Sequence, residues 1–169
     1  QRQMCIRDRD NTVIICDNGK KISGTELFKL TSQISNVLKN SGVQPGHRVV
    51  MQAGKTVEAI ALYLACIRSG ALFLPLNNAY TPNEMEYFIN DAEPTVIVCE
   101  PKSKDVISKY TKLRGIELFT LDHSGNGSLN KKILEAETSF TNIRRSLDDL
   151  AAILYTSGTT GRSKGAMLS

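Results

Sequence analysis

Ten consecutive residues near the end of the chain hold most of its visible chemistry: Thr156, Ser157, Gly158, Thr159, Thr160, Gly161, Arg162, Ser163, Lys164 and Gly165. Gly158, Gly161 and Gly165 permit backbone angles that side chains forbid. Consecutive N–H groups there can turn inward and form a nest for an anion. Thr156, Ser157, Thr159 and Thr160 add hydroxyl donors, and Lys164 adds a full positive charge. Charge-assisted hydrogen bonds to phosphate are about twice as strong as neutral ones, so these are the parts of a polyphosphate cradle. The Walker loop has its Lys followed at once by Ser or Thr at a helix start. Here Lys164 is followed by Gly165 and an apolar run that reads as strand. The alternative is a flexible linker of small residues, which needs neither interleaved hydroxyls and glycines nor a placed lysine.

The flanks say what must position the cradle. AAILY precedes it and GAMLS follows it, so the segment is expected to join strand to strand as a mobile hairpin. Upstream, strand-like and helix-like stretches alternate. Thr12–Cys16 is a short β-branched run. Ser23 and Glu26 have capping-box spacing ahead of Leu27, Leu30, Ile34, Val37 and Leu38 at helical period, with Gly42 as the stop. Arg48–Ala53 reads as strand, Thr56–Arg68, apolar on most sides, as a buried helix, and Ala71–Leu76 as a wholly apolar strand. Thr81-Pro82-Asn83-Glu84 is a second capping box with proline at the first helical position, opening a helix to about Asp91. Thr95–Cys99 (strand), Ser103 to about Leu113 (helix), Ile116–Leu121 (strand) and a short helix from Leu129 follow, before the strand Ala151–Tyr155. The fold class expected is α/β, with a mainly parallel sheet covered on both faces. Ligands of such sheets sit at the carboxyl ends of the strands, where this loop lies.

Composition fits a soluble globular domain: 169 residues, 41% apolar and 22% charged. Residues 1–9 have neither apolar period nor turn chemistry. Met4-Cys5-Ile6-Arg7-Asp8 matches the translation of a transposase adapter used in sequencing libraries, so this segment is expected to be an adapter scar rather than a basic arm. Half of the formal net charge of +4 lies there, since Arg2, Arg7 and Arg9 stand against Asp8. The remaining bases are scattered among acids without a stripe, which argues against nucleic acid as a partner. Cys16, Cys66 and Cys99 lie far apart in apolar runs, without metal-ligand spacing, and read as buried thiols of a reducing cytoplasm. The longest apolar stretch, Ala59–Ile67, is too short to span a bilayer.

YTSGTTGRSKG resembles the phosphate-binding signature of the acyl-adenylate-forming superfamily: Ser/Thr-Ser-Gly-Ser/Thr-Thr-Gly, two variable residues, then Lys-Gly. Every fixed position matches, and Ser163 stands where proline is commonest. VEAIALYLACIRSGALFLPLNNAYTPNEMEYFINDAEPTVIVCEP and DDLAAILYTSGTTGRSKGAMLS are similar to malonyl-CoA ligases of that superfamily, over nearly everything from Thr12 to Ser169. The resemblance implies an AMP-forming acyl-CoA synthetase. A carboxylate, malonate or methylmalonate, attacks the α-phosphorus of ATP with Mg2+ to give an acyl-adenylate and pyrophosphate, and the thiol of coenzyme A then displaces AMP. It implies that Thr156 to Gly165 hold the β- and γ-phosphates and that Thr156 approaches Mg2+. A mobile cradle suits an enzyme that takes in ATP and releases pyrophosphate.

It also implies that residues 10–169 are an incomplete N-terminal AMP-binding domain, truncated at both ends and without a catalytic residue of its own. The adenine motif, the Mg2+-binding Glu, the ribose-binding Asp and the small domain with the catalytic Lys normally follow this loop. Two alternatives remain: an adenylation domain that loads a carrier protein or a ligase for another acid, and a noncatalytic nucleotide-binding module.

Elsewhere the sequence points to structure. His47, in a turn, is expected to be solvated, and His123 stands in another loop. Tyr80 and Tyr87 are read as packing residues. Asp148 and Asp149 are read as facing water and Arg144-Arg145 as a surface pair. The glycine-rich run His123–Ser128 is given no function.

Overall fold

The computed structural model of the chain describes residues 10–156 and 163–169. A two-stranded antiparallel ribbon, β1 (Thr12–Ile15) and β2 (Lys21–Ser23), leads into α1 (Gly24–Asn40). Ser23 and Glu26 close the expected capping box at the start of α1. β3 (Arg48–Gln52), α2 (Val57–Ser69), β4 (Leu72–Pro75), α3 (Pro82–Ala92), β5 (Val96–Cys99), α4 (Lys104–Thr111), β6 (Glu117–Thr120) and α5 (Ser128–Glu135) then alternate. A connector without regular structure leads to β7 (Ala152–Thr156), which pairs with β8 (Lys164–Leu168). Among the described residues, sequence reasoning missed β2, three residues long and too short to show a period, and the 3-10 turn Pro101–Ser103 before α4.

The main sheet has the order β6-β5-β3-β4-β7-β8. Every pairing is parallel except the β7–β8 hairpin at one edge. β3 lies between β4 and β5, so the chain runs outward through α2 and back over β3 through α3. Successive crossovers in opposite directions cover opposite faces when both are right-handed, and the core divides accordingly. Val49, Phe73, Val96 and Val98 face α1, α2 and α5 through Leu38, Leu62, Ala65 and Leu129. Val50, Leu74, Ile97 and Cys99 face α3 and α4 through Met85, Phe88, Ile89 and Ile107. Adjacent residues of one strand thus serve opposite cores, which is why these strands read as unbroken apolar runs rather than alternating ones.

The helices are fixed at their ends. Thr56 caps α2, and Gly70, at φ +70°, ends it in the left-handed region. A Cβ at position 70 would meet Arg145 Cδ at 3.1 Å and Pro45 Cβ at 3.3 Å. α3 carries its capping box, with Thr81 and Glu84 exchanging hydrogen bonds. At its far end Arg48 of β3 donates to the carbonyls of Ala92 and Glu93. A guanidinium at a helix C-terminus satisfies the last carbonyls and complements the helix dipole.

Some side chains depart from the sequence expectation. α2 is not buried on most sides: Ile60 (45%), Tyr63 (38%) and Ile67 (40%) keep a stripe exposed. His47 is not solvated: its Nδ1 lies 2.8 Å from the hydroxyl of Thr95, and the residue is half-buried. Asp149 does not simply face water. It accepts from the Ser146 N–H and pairs with Arg145 at 3.3 Å, closing a turn before β7. Cys66 and Cys99 are buried as expected, and burial holds the Cys99 thiol up to about 12, whereas Cys16, just past β1, is only half-buried.

Candidate phosphate-binding hairpin

β7 runs parallel to β4 and β3, so its last residue, Thr156, reaches the carboxyl edge of the sheet. The register pairs Thr156 with Lys164 and Tyr155 with Gly165. The expected strand-to-strand hairpin is therefore present, with Thr156 and Lys164 facing each other across its mouth. Of the ten candidate residues, Thr156, Ser163, Lys164 and Gly165 are placed. Ser157, Gly158, Thr159, Thr160, Gly161 and Arg162 lie outside the described residues.

The placed residues have distinct surroundings. Lys164 is exposed, and among the described residues no carboxylate pairs with it. The Thr156 hydroxyl, also exposed, makes one long hydrogen bond among the described residues, donating to the Lys164 carbonyl at 3.4 Å. No described residue donates to its oxygen, whose lone pairs suit a hard cation or a phosphate-bound water. No cluster of three His, Cys, Asp or Glu that could hold a metal occurs among the described residues. Among the described residues, the Thr156 hydroxyl oxygen is of the hard kind that would suit a magnesium ion at the mouth. Gly165 is required by packing: a Cβ there would stand 2.8 Å from Ile153 Cγ2, across the hairpin.

The hairpin is not held by strand pairing alone. Registered pairing between β4 and β7 involves only Phe73 and Ala152. Nearer the mouth the contacts come from α3. Tyr87 donates its phenolic hydroxyl to the carbonyl of Ser163 at 2.9 Å. Tyr155 donates to the Asp91 carboxylate. Phe88 lies between them, its ring centroid 4.6 Å from that of Tyr155 and 5.3 Å from that of Tyr87. Tyr80 completes the cluster, 4.8 Å from Phe88. Burial and the neighbouring Asp91 raise the Tyr155 phenol, which stays protonated and a donor.

Sequence reasoning named Tyr87 for packing only and passed over Asp91. The available signal was the i, i+4 spacing of Tyr87 and Asp91, which puts both on one face of α3. What that face meets was not in the local sequence.

The family model for AMP-binding enzymes matches residues 2–169. The fold superimposes on MatB from Rhodopseudomonas palustris, in its apo and ATP-bound crystal structures, with a TM-score of 0.92 and 49% identity over 96% of this chain. Among curated proteins it is 29% identical over 167 residues with the probable CoA ligase CCL9 of Humulus lupulus, covering 94% of this chain. It is also 29% identical over 143 residues with tyrocidine synthase 3 of Brevibacillus parabrevis, covering 85% of this chain. The chain spans 32% of MatB, 31% of CCL9 and 2% of tyrocidine synthase 3. The parallel sheet, the hairpin at its carboxyl edge and the match of almost the whole sequence converge: the chain belongs to the AMP-binding enzyme family.

Proposed function

We propose that the chain is the N-terminal, ATP-binding part of an AMP-forming acyl-CoA ligase. The observation that carries this reading is the hairpin mouth: Lys164, uncompensated by any described carboxylate, stands opposite the Thr156 hydroxyl at the ligand-binding edge of a parallel sheet. Thr156 to Gly165, as a unit, hold the β- and γ-phosphates of ATP. The Thr156 hydroxyl would help to hold Mg2+, which would supply charge neutralisation on the phosphate oxygens. The substrate carboxylate attacks the α-phosphorus, the α–β bridging bond breaks, and pyrophosphate leaves with the electron pair. The coenzyme A thiol, losing its proton, then attacks the acyl carbon and expels AMP. A carboxylate oxygen is a poor leaving group and AMP a good one, so the protein's part is positioning and charge stabilisation.

The carboxylate is malonate or methylmalonate. That narrowing rests on the likeness of residues 57–101 and 148–169 to malonyl-CoA ligases. The reaction belongs to the cytoplasm, where ATP and coenzyme A are at hand, and no helix among the described residues is long and apolar enough to cross a membrane. An adenylation domain that loads a carrier protein is the second reading, favoured by the 29% identity with tyrocidine synthase 3. The 29% identity with the probable CoA ligase CCL9, over 94% of this chain against 85%, weighs towards the ligase.

The test is ATP–pyrophosphate exchange in a full-length protein bearing this sequence, with malonate, and with the 169 residues alone as an inactive control. Lys164→Ala removes a charged donor worth about 1.5–3 kcal/mol, so KM for ATP rises about ten- to a hundredfold while the melting temperature holds. An unchanged KM for ATP overturns the phosphate assignment. Hydroxamate trapping of malonyl-adenylate, or of another acyl-adenylate, decides the acid. Release of AMP with free coenzyme A separates the ligase from the carrier-loading domain.

A further inference from the structure

The hairpin mouth lies beyond the registered part of the β4–β7 pairing, and β8 is the outermost strand. Strand hydrogen bonds therefore define the hairpin's own ladder but leave its mouth weakly tied to the sheet. α3 supplies the missing connection on both arms. Its Tyr87 holds the carbonyl of Ser163, the residue just before Lys164. Its Asp91 holds the hydroxyl of Tyr155, the residue just before Thr156. The helix is a firm base for both, closed by a capping box at one end and by Arg48 at the other. Its Phe88, 2% exposed, wedges between the two tyrosines.

We propose that Tyr87, Asp91 and Tyr155 are positioning residues for the nucleotide, fastening the two arms of the hairpin to α3 and so setting where Thr156 and Lys164 stand. This rests on the reading of the hairpin as a phosphate site. None of the three touches the phosphates. Each acts through the backbone next to a residue that does. Both hydroxyls are spent on hydrogen bonds that a phenyl ring cannot make, while the rings themselves pack on Phe88. Phenylalanine at either position thus removes the tether and keeps the packing.

The experiment is steady-state exchange kinetics and thermal melting of the full-length protein, wild type against Tyr87→Phe, Tyr155→Phe, Asp91→Ala, Asp91→Asn and Lys164→Ala. Losing the neutral bond to the Ser163 carbonyl raises KM for ATP about three- to tenfold, and losing the charge-assisted bond to Asp91 raises it about ten- to a hundredfold, with KM for the carboxylate and the melting temperature unchanged. Asp91→Asn keeps a neutral acceptor for Tyr155 and recovers part of the loss, whereas Asp91→Ala behaves as Tyr155→Phe. Combining Asp91→Ala with Tyr155→Phe adds nothing, because both remove one bond. If Lys164→Ala raises KM for ATP and the two phenylalanine variants do not, the tether is overturned and the phosphate site stands. If Lys164→Ala also leaves KM for ATP unchanged, the site reading fails and the tether with it. Equal loss for ATP and carboxylate, in step with a falling melting temperature, marks a purely structural role and overturns the proposal.

Discussion

Glu26 and Glu84 each close a capping box, accepting hydrogen bonds from the backbone N–H and hydroxyl of Ser23 and of Thr81. Those bonds favour the ionised carboxylate, so both groups lie below their ordinary 4.5 in the folded protein. Asp149 lies below its ordinary 3.8 through the Ser146 N–H, and Asp122 through the N–H groups of Asn126 and Ser124. For a carboxylate lowered on folding, the stabilisation is complete above the unfolded-state value and is lost as pH falls through the folded-state value. Stability is therefore expected to be flat from neutral pH down to the ordinary carboxylate range and to decline below it. Urea midpoints measured across that range check this. Replacing Glu26 and Glu84 together by Gln keeps both boxes but removes their titration, and the acid decline becomes shallower. An identical decline in that variant refutes the assignment.

Arg68 belongs to the scale of elements. It closes the apolar run of α2, and by sequence it only marks the end of that run. In the fold its guanidinium donates to the Phe28 carbonyl, the hydroxyls of Thr31 and Ser32, the Asn142 side chain at 2.8 Å and the Phe140 carbonyl at 3.2 Å. It also stacks over the Phe28 ring at 4.3 Å. One side chain thus ties α1 and α2 to the connector that carries the chain to β7. The Arg68 carbonyl accepts from the Ile143 N–H at 2.9 Å and adds a backbone tie to the same connector. Lysine has no planar fork to share among these acceptors. Arg68→Lys is expected to cost about 1–3 kcal/mol in urea denaturation, and amide exchange in the 137–146 connector should accelerate. A cost under about 0.5 kcal/mol counts against this role.

At the scale of the whole molecule, the two cores are buried but part of the surface is apolar. Ile60, Tyr63 and Ile67 form the open stripe of α2, and Met167 (67%) and Leu168 (44%) are exposed on β8. β8 also presents an unpaired strand edge. Open edges with apolar side chains template pairing with another chain. The 169-residue chain is therefore expected to self-associate as its concentration rises, seen as increasing light scattering. Met167→Lys places a charge on that edge and lowers the association without changing the circular dichroism. Scattering equal to that of the unsubstituted chain shows that the β8 edge is not the cause.

Most elements were legible because their signals are local. Ser23/Glu26 and Thr81/Glu84 spell capping boxes within four residues, Gly42 and Gly70 mark helix stops, and runs such as Val96–Cys99 are apolar throughout because both faces are covered. The candidate cradle was legible for the same reason, its hydroxyls, glycines and lysine being contiguous, and the family followed from that spacing. Other features depend on residues far apart in the chain. The pairing of Phe73 with Ala152, the tie from Tyr87 to Ser163, the Asp91–Tyr155 bond and the reach of Arg68 to Asn142 each join segments more than sixty residues apart. By itself the sequence determined which segments fold as helix or strand, β2 apart, and marked the residues proposed to meet phosphate, since backbone propensity and motif chemistry act over a few neighbours. Only the tertiary structure decided what holds the hairpin in place, because that depends on which surfaces the crossovers bring together.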